Sequence, residues 1–137
     1  MDRIDKILNH DLFLYHLGRN NAAEADRRFC RHSMVHFLDV ARIGTIIALE
    51  EGLKIDREWI YAAALLHDCG KHEQYENGIP HEQASARIAP EILKTCGFND
   101  EETGVIVTAI SRHRDPEAAK EKNLNLSLIH ISEPTRH

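Results

Sequence analysis

Histidine and aspartate stand side by side at positions 67 and 68, in the run A-L-L-H-D-C-G-K (64–71), directly behind the apolar stretch W-I-Y-A-A-A-L-L. An imidazole and a carboxylate at the end of a buried helix need partners, because polar groups left unpaired away from water cost free energy. Three further histidines stand in the same situation. His36 shares a helical stripe with Val40, Ile43 and Ile47, His81 heads Ala84, Ile88 and Ile92, and His113 follows Ile106, Ala109 and Ile110. His67 itself lies above Ile60, Ala63 and Ala64. A single core histidine is ordinarily bonded to a backbone carbonyl. Four of them, on four helices of one small domain, would each need a separate partner, at about 1–3 kcal/mol for each that failed. One shared cation serves all four, since imidazole is the commonest metal ligand and a carboxylate beside it suits Mn, Fe or Mg. The last carbonyls of a helix favour a cation near that end. His67 and Asp68 are therefore read as neighbouring metal ligands.

Groups that could meet a phosphate surround this set. Lys71 follows Asp68 by three residues, and Arg112 and Arg114 flank His113. Arg27, Arg28 and Arg31 precede His32. Guanidinium forks bind phosphate bidentately, but most surface arginines stay solvated, so at most one or two of these five are expected to serve. Lys71 has an equally good plain reading, a lysine favoured by the dipole at a helix end. His32, four residues before His36, shares its helix face. His72 is expected in solvent, and a loop around Tyr75 could act as a lid. A thiol mechanism through Cys69 is discounted, because nothing suggests a depressed thiol pKa and free cysteine is commonly just small and buried.

The elements that must position these groups read as helices nearly throughout, so the fold class is all-α. Residues 2 to 17 form an amphipathic helix closed at Gly18, residues 20–29 a short one, and 31 to 51 a longer one stopped at Gly52. Asp56 caps a helix that runs to about Cys69, with Gly70 as its stop. Residues 71 to 80 read as a polar loop. A helix from about Pro80 to Thr95 is expected to bend at Pro90, and others span 100 to 113 and begin at Asp115-Pro116-Glu117.

Composition bounds the partners. A chain of 137 residues with 42% hydrophobic and 28% charged residues is one globular domain. Its net charge of −5 argues against nonspecific nucleic-acid binding. The N-terminus M-D-R-I-D-K-I-L is not a secretory signal, and no window approaches the apolar length of a membrane span. Cys30, Cys69 and Cys96, odd in number and without a CxxC pair, read as reduced thiols of a cytoplasmic protein.

The ordered set H-F-L-D-V-A-R (36–42), A-L-L-H-D-C-G-K (64–71), I-P-H-E-Q-A-S-A (79–86) and A-I-S-R-H-R (109–114) resembles the HD superfamily of metal-dependent phosphohydrolases. The resemblance covers roughly residues 29 to 122. It implies a single HD-type helical domain with a metal site in the core of the bundle, one or two divalent ions, and ligands at His36, His67, Asp68, His81 and His113. His36 is preferred to His32 because Val40-Ala41 follows it at the family's spacing. The chemistry implied is hydrolysis of a nucleotide or other phosphate ester by a metal-activated hydroxide, with no side-chain nucleophile. Asp68 and Lys71 would be its catalytic residues, and Lys71, Arg112 and Arg114 its substrate contacts. The likeness to small bacterial members that hold two irons and cleave dinucleoside polyphosphates suggests a small phosphorylated substrate of that kind.

The chain departs from the family pattern at its end. The resemblance implies a final aspartate ligand beyond His113, and Asp115, the only later aspartate, reads as a helix cap. The string S-L-I-H-I-S-E-P-T-R resembles translated sequencing-adapter read-through. We therefore expect an HD domain over 1–123, incomplete at its C-terminus, and a non-family tail at 124–137. A chain short of one ligand should bind metal weakly and hydrolyse slowly. A noncatalytic module that binds a nucleotide or partner, and a di-iron oxygenase on the same ligand set, stay open beside hydrolysis.

Overall fold

The structure, a computed structural model, describes residues 2–23, 34–52 and 54–113, with residues 34–37 described by their backbone alone. Among the described residues it contains seven helices and no strand: α1 (Asp2–Leu8), α2 (Asp11–Ala23), α3 (Met34–Glu50), α4 (Arg57–Leu66), α5 (Lys71–Asn77), α6 (His81–Thr95) and α7 (Asp100–Arg112). None of these is long and apolar enough to cross a membrane. The all-α expectation holds.

α4 is the central strut, packed against α1, α3, α6 and α7. Its length follows from its sequence: Asp56 accepts the Glu58 N–H at 2.9 Å as N-cap, and the alanines and leucines from Ala62 to Leu66 are all buried. Ile60, Leu65 and Leu66 meet Ile92 and Leu93 of α6 and Ile106 and Ile110 of α7 in one core, with Ile7 and Phe13 closing it from α1 and α2. Each such side chain stabilises the fold by roughly 1.5–3 kcal/mol relative to exposure. α7 starts with a capping box, in which Asn99 accepts from Glu102 N–H and the Glu102 carboxylate accepts from Asn99 N–H.

Arg3 of α1 ties the bundle together from outside. Its guanidinium reaches Glu58 of α4 at 2.9 Å and both carboxylate oxygens of Glu102 of α7 at 2.8 and 2.9 Å. The Trp59 indole N–H donates to the same Glu102 carboxylate at 2.8 Å. These bonds hold the Glu102 carboxyl well below its ordinary range, at about 2, with the Arg3 bond as the largest cause.

Four local expectations give way. The expected first helix is two, because the chain breaks at Asn9 and His10: the Asn9 amide bonds the Asp5 carbonyl, and His10 Nδ1 accepts the Leu12 N–H. Gly18 lies inside α2 rather than ending a helix. The expected 71–80 loop is mostly α5, a polar helix that buries only His72 and ends at Gly78, whose φ of 70° is left-handed. Tyr75 therefore lies on a helix rather than on a loop. Finally, the expected α3 stripe is displaced. Val40 is buried, but Ile43 is 50% exposed, and the close approach to α4 is made by Ala41 against Ala64. Ile46 and Leu49 lie exposed on α3 as well.

His72, expected in solvent, is buried at 4% exposure. Its Nδ1–H donates to the Glu76 carboxylate at 3.0 Å, so its Nε2 accepts from His16 Nδ1–H at 2.8 Å. The two rings lie nearly parallel, 17° apart. Burial and the neighbouring His72 push the His16 imidazole down to about 4.

Candidate metal centre

Where α4 ends, the chain makes a turn over residues 67–70 before α5 begins. Two neighbours hold that turn. Gly70 packs so closely on α6 that a Cβ there would lie 2.7 Å from the Ala84 and Ser85 backbone, and its N–H donates to Ser85 Oγ at 2.9 Å. From the other side, the buried Asn20 amide of α2 donates to the Asp68 carbonyl at 2.9 Å and accepts the His72 N–H at 2.8 Å. Gly70 was expected as a helix stop; its φ of −97° is ordinary, and what the position requires is the absence of a side chain.

Asp68 presents its carboxylate to three imidazoles. His67 Nε2 lies 3.3 Å from one oxygen, and His81 Nε2 and His113 Nε2 lie 3.4 and 3.9 Å from the other. The Nε2 atoms of His81 and His113 are 3.3 Å apart, and the His67 ring stands edge-on to the His113 ring at 5.2 Å. All four residues are buried. Each ring has its other nitrogen committed. His67 Nδ1–H donates to the Ala64 carbonyl and His113 Nδ1–H to the Ile110 carbonyl, both at 2.6 Å, while His81 Nδ1 meets Gln74 Oε1 at 2.8 Å.

That pattern decides the tautomer. A carbonyl oxygen only accepts, so each Nδ1 keeps its proton, and in the neutral ring the Nε2 lone pair faces Asp68. His113 is pushed down to about 4, chiefly by burial and then by the neighbouring His67, so it is neutral near pH 7. With His81 neutral as well, the two Nε2 lone pairs 3.3 Å apart would repel each other unless a positive charge lay between them. Nitrogens that share one divalent ion at about 2.0–2.1 Å stand roughly 3–3.4 Å apart, so the donor set fits a cation. Asp68, His81 and His113 form the tight cluster that could hold one, and His67 stands beside it on the second carboxylate oxygen. Fixing a ring through its far nitrogen is the usual support of a metal-binding histidine.

The remaining sequence-predicted residues are placed as follows. His36 lies on the first turn of α3, with its side chain outside the described residues. His32, Arg27, Arg28, Arg31, Arg114, Asp115 and the 124–137 tail also lie outside them. Arg112 is half-buried at the last position of α7, next to His113. Lys71 is half-buried and opens α5. Its expected place at the end of a helix, where the dipole would favour it, is thus replaced by a helix start. Cys69 is buried and its thiol is pushed up to about 12 by burial, which removes a thiolate from the chemistry. Gln74 and Ser85 were not singled out in the sequence. Gln74 precedes His81 by seven residues, a spacing with no meaning until α5 is known to be a helix.

Comparison with known proteins agrees with this geometry. A family model described as HD domain matches residues 34–133. An uncharacterized protein of Clostridium beijerinckii (strain ATCC 51743 / NCIMB 8052) is 50% identical over 118 residues, covering 86% of this chain and 75% of that protein. No solved structure matches the chain. With its histidine–aspartate turn and buried His/Asp cluster inside a matched region that spans most of its length, the chain belongs to the HD domain family.

Proposed function

We propose that this HD domain is a metal-dependent phosphohydrolase acting on a nucleotide or another small phosphate ester. The observation that carries the reading is the orientation of His67, His81 and His113, whose Nδ1 protons are all given to oxygens so that their Nε2 atoms converge on Asp68. His67, Asp68, His81 and His113, with His36 from α3, are the proposed ligands of one or two ions of Fe, Mn or Mg. When bound, such an ion supplies positive charge for phosphoryl oxygens and makes water acidic enough to attack near neutral pH.

The chain's own residues supply the rest. Asp68 contributes the negative charge of the centre and is its catalytic carboxylate. The three rings, locked by their Nδ1 bonds, need no reorganisation as charge builds up. Lys71, at the exit of the 67–70 turn, offers an ammonium to a substrate phosphate. Arg112 and Arg114, on either side of His113, offer planar forks for the same anion. Cys69 is excluded as nucleophile by its thiol, which stays protonated.

A second reading is a noncatalytic HD module that binds a nucleotide or partner. Metal content of protein purified without oxygen, followed by assays on a panel of nucleotides and dinucleoside polyphosphates with Mn, Fe and Mg, separates the two. Bound metal with phosphate release is the expected result. Metal-free protein that still binds nucleotide would instead establish the regulatory reading.

A further inference from the structure

We propose that Asn20 is a positioning residue of the metal centre, which makes α2 a working part of that centre although it lies before the matched family region, residues 34–133. The proposal rests on the metal reading given above. Asn20 is 1% exposed, and both ends of its amide are spent on one short segment of backbone. Its Nδ2–H donates to the Asp68 carbonyl at 2.9 Å, and its Oδ1 accepts the His72 N–H at 2.8 Å. The amide therefore spans the chain from the carboxylate ligand to the first turn of α5. Between those two points lie Cys69, Gly70 and Lys71.

Asparagine suits this task because one planar group carries a donor and an acceptor side by side. Aspartate would lose the donor and set a negative charge against the Asp68 carbonyl. A hydrocarbon of the same size could make neither bond. α2 is a firm base for the amide, because Phe13 is fully buried in the core and His16 is bonded to His72. A buried asparagine that merely joined two helices would bond two separate segments. Here both bonds fall within five residues, the five that include Asp68 and Lys71.

The test uses the full chain, the variant Asn20→Ala and a control, Ile4→Ala, which removes a core side chain from α1. Mn2+ affinity is measured by calorimetry, and the alkylation rates of Cys69 and Cys96 are followed by mass spectrometry in metal-free native protein. Both thiols are buried, Cys69 beside Asp68 and Cys96 at the far end of α6, so each reports the opening of its own region. The expected result for Asn20→Ala is a loss of Mn2+ affinity of about tenfold or more, the range seen when groups that orient ligands are removed. Cys69 should react faster while Cys96 does not. Ile4→Ala should lower thermal stability and leave Mn2+ affinity unchanged. Unchanged affinity in Asn20→Ala, or equal acceleration at both cysteines, overturns the proposal while the metal reading stands. Wild-type protein that takes up no Mn2+ overturns the metal reading, and the proposal with it. Should Asn20→Ala fail to fold, Asn20→Ser, whose hydroxyl is too short to span both backbone groups, carries the same measurements.

Discussion

At the scale of single residues, the division of labour within each imidazole is the main result. Nδ1 is used for orientation and Nε2 for the centre. Two of the three orienting partners are backbone carbonyls, Ala64 and Ile110, which substitution cannot remove. The third is a side chain, Gln74, and it permits a test. Gln74→Leu should leave the fold intact and weaken divalent metal binding by about 10- to 100-fold, measured by competition with a chelating indicator, because the His81 ring loses its anchor. An unchanged affinity would show that packing alone orients His81. The imidazoles and Asp68 could be picked out in the sequence because their chemistry is written in their residue types and their apolar surroundings. The orienting partners could not. A carbonyl oxygen has no residue-type signature, and Gln74 reaches His81 only through the way α5 returns to α6.

At the scale of elements, the closest constraint is the contact between the 67–70 turn and α6. A methyl group at position 70 would meet main-chain atoms, which cannot move aside as a flexible side chain would. Gly70→Ala should therefore destabilise the protein by about 1–3 kcal/mol or more, read from denaturant unfolding, and should displace Asp68 from His81. Helices with explicit end signals were readable, as Asp56, the N-cap of α4, illustrates. α5 was not, because hydrophobic periodicity is the main signal of a helix and K-H-E-Q-Y-E-N buries one residue. The His72–Glu76 pair at i,i+4 was the available clue. α3 misled for the opposite reason. Its large apolar side chains, Ile43, Ile46 and Leu49, face outward, while Ala41 and Ala48 are buried and so allow close packing.

At the scale of the whole molecule, acid should weaken the fold in two successive windows. His16, held near 4 in the folded chain against 6.5 as a free group, stays neutral on folding. Protonation then favours the unfolded chain, and stability falls as pH drops from about 6.5 towards 4. Glu102, held near 2 against 4.5, stabilises the fold above about pH 4.5, and this contribution disappears as pH falls through 2. Glu102→Gln should accordingly be less stable than wild type at pH 7 by roughly 1–2 kcal/mol and converge with it towards pH 2 in urea titrations. A constant difference across that range would place the Glu102 contribution in packing rather than charge. Neither window was readable beforehand, since Arg3, Glu58 and Glu102 are separated by 55 and 99 positions and meet only through the tertiary fold.

The Arg3 clasp has a practical corollary. Excising the stretch that the family model matches, residues 34–133, would discard the guanidinium that bridges α4 to α7. Two carboxylates, Glu58 and Glu102, would then be left without the cation between them. The family-matched unit is narrower than the unit that holds together physically, so recombinant fragments should keep α1.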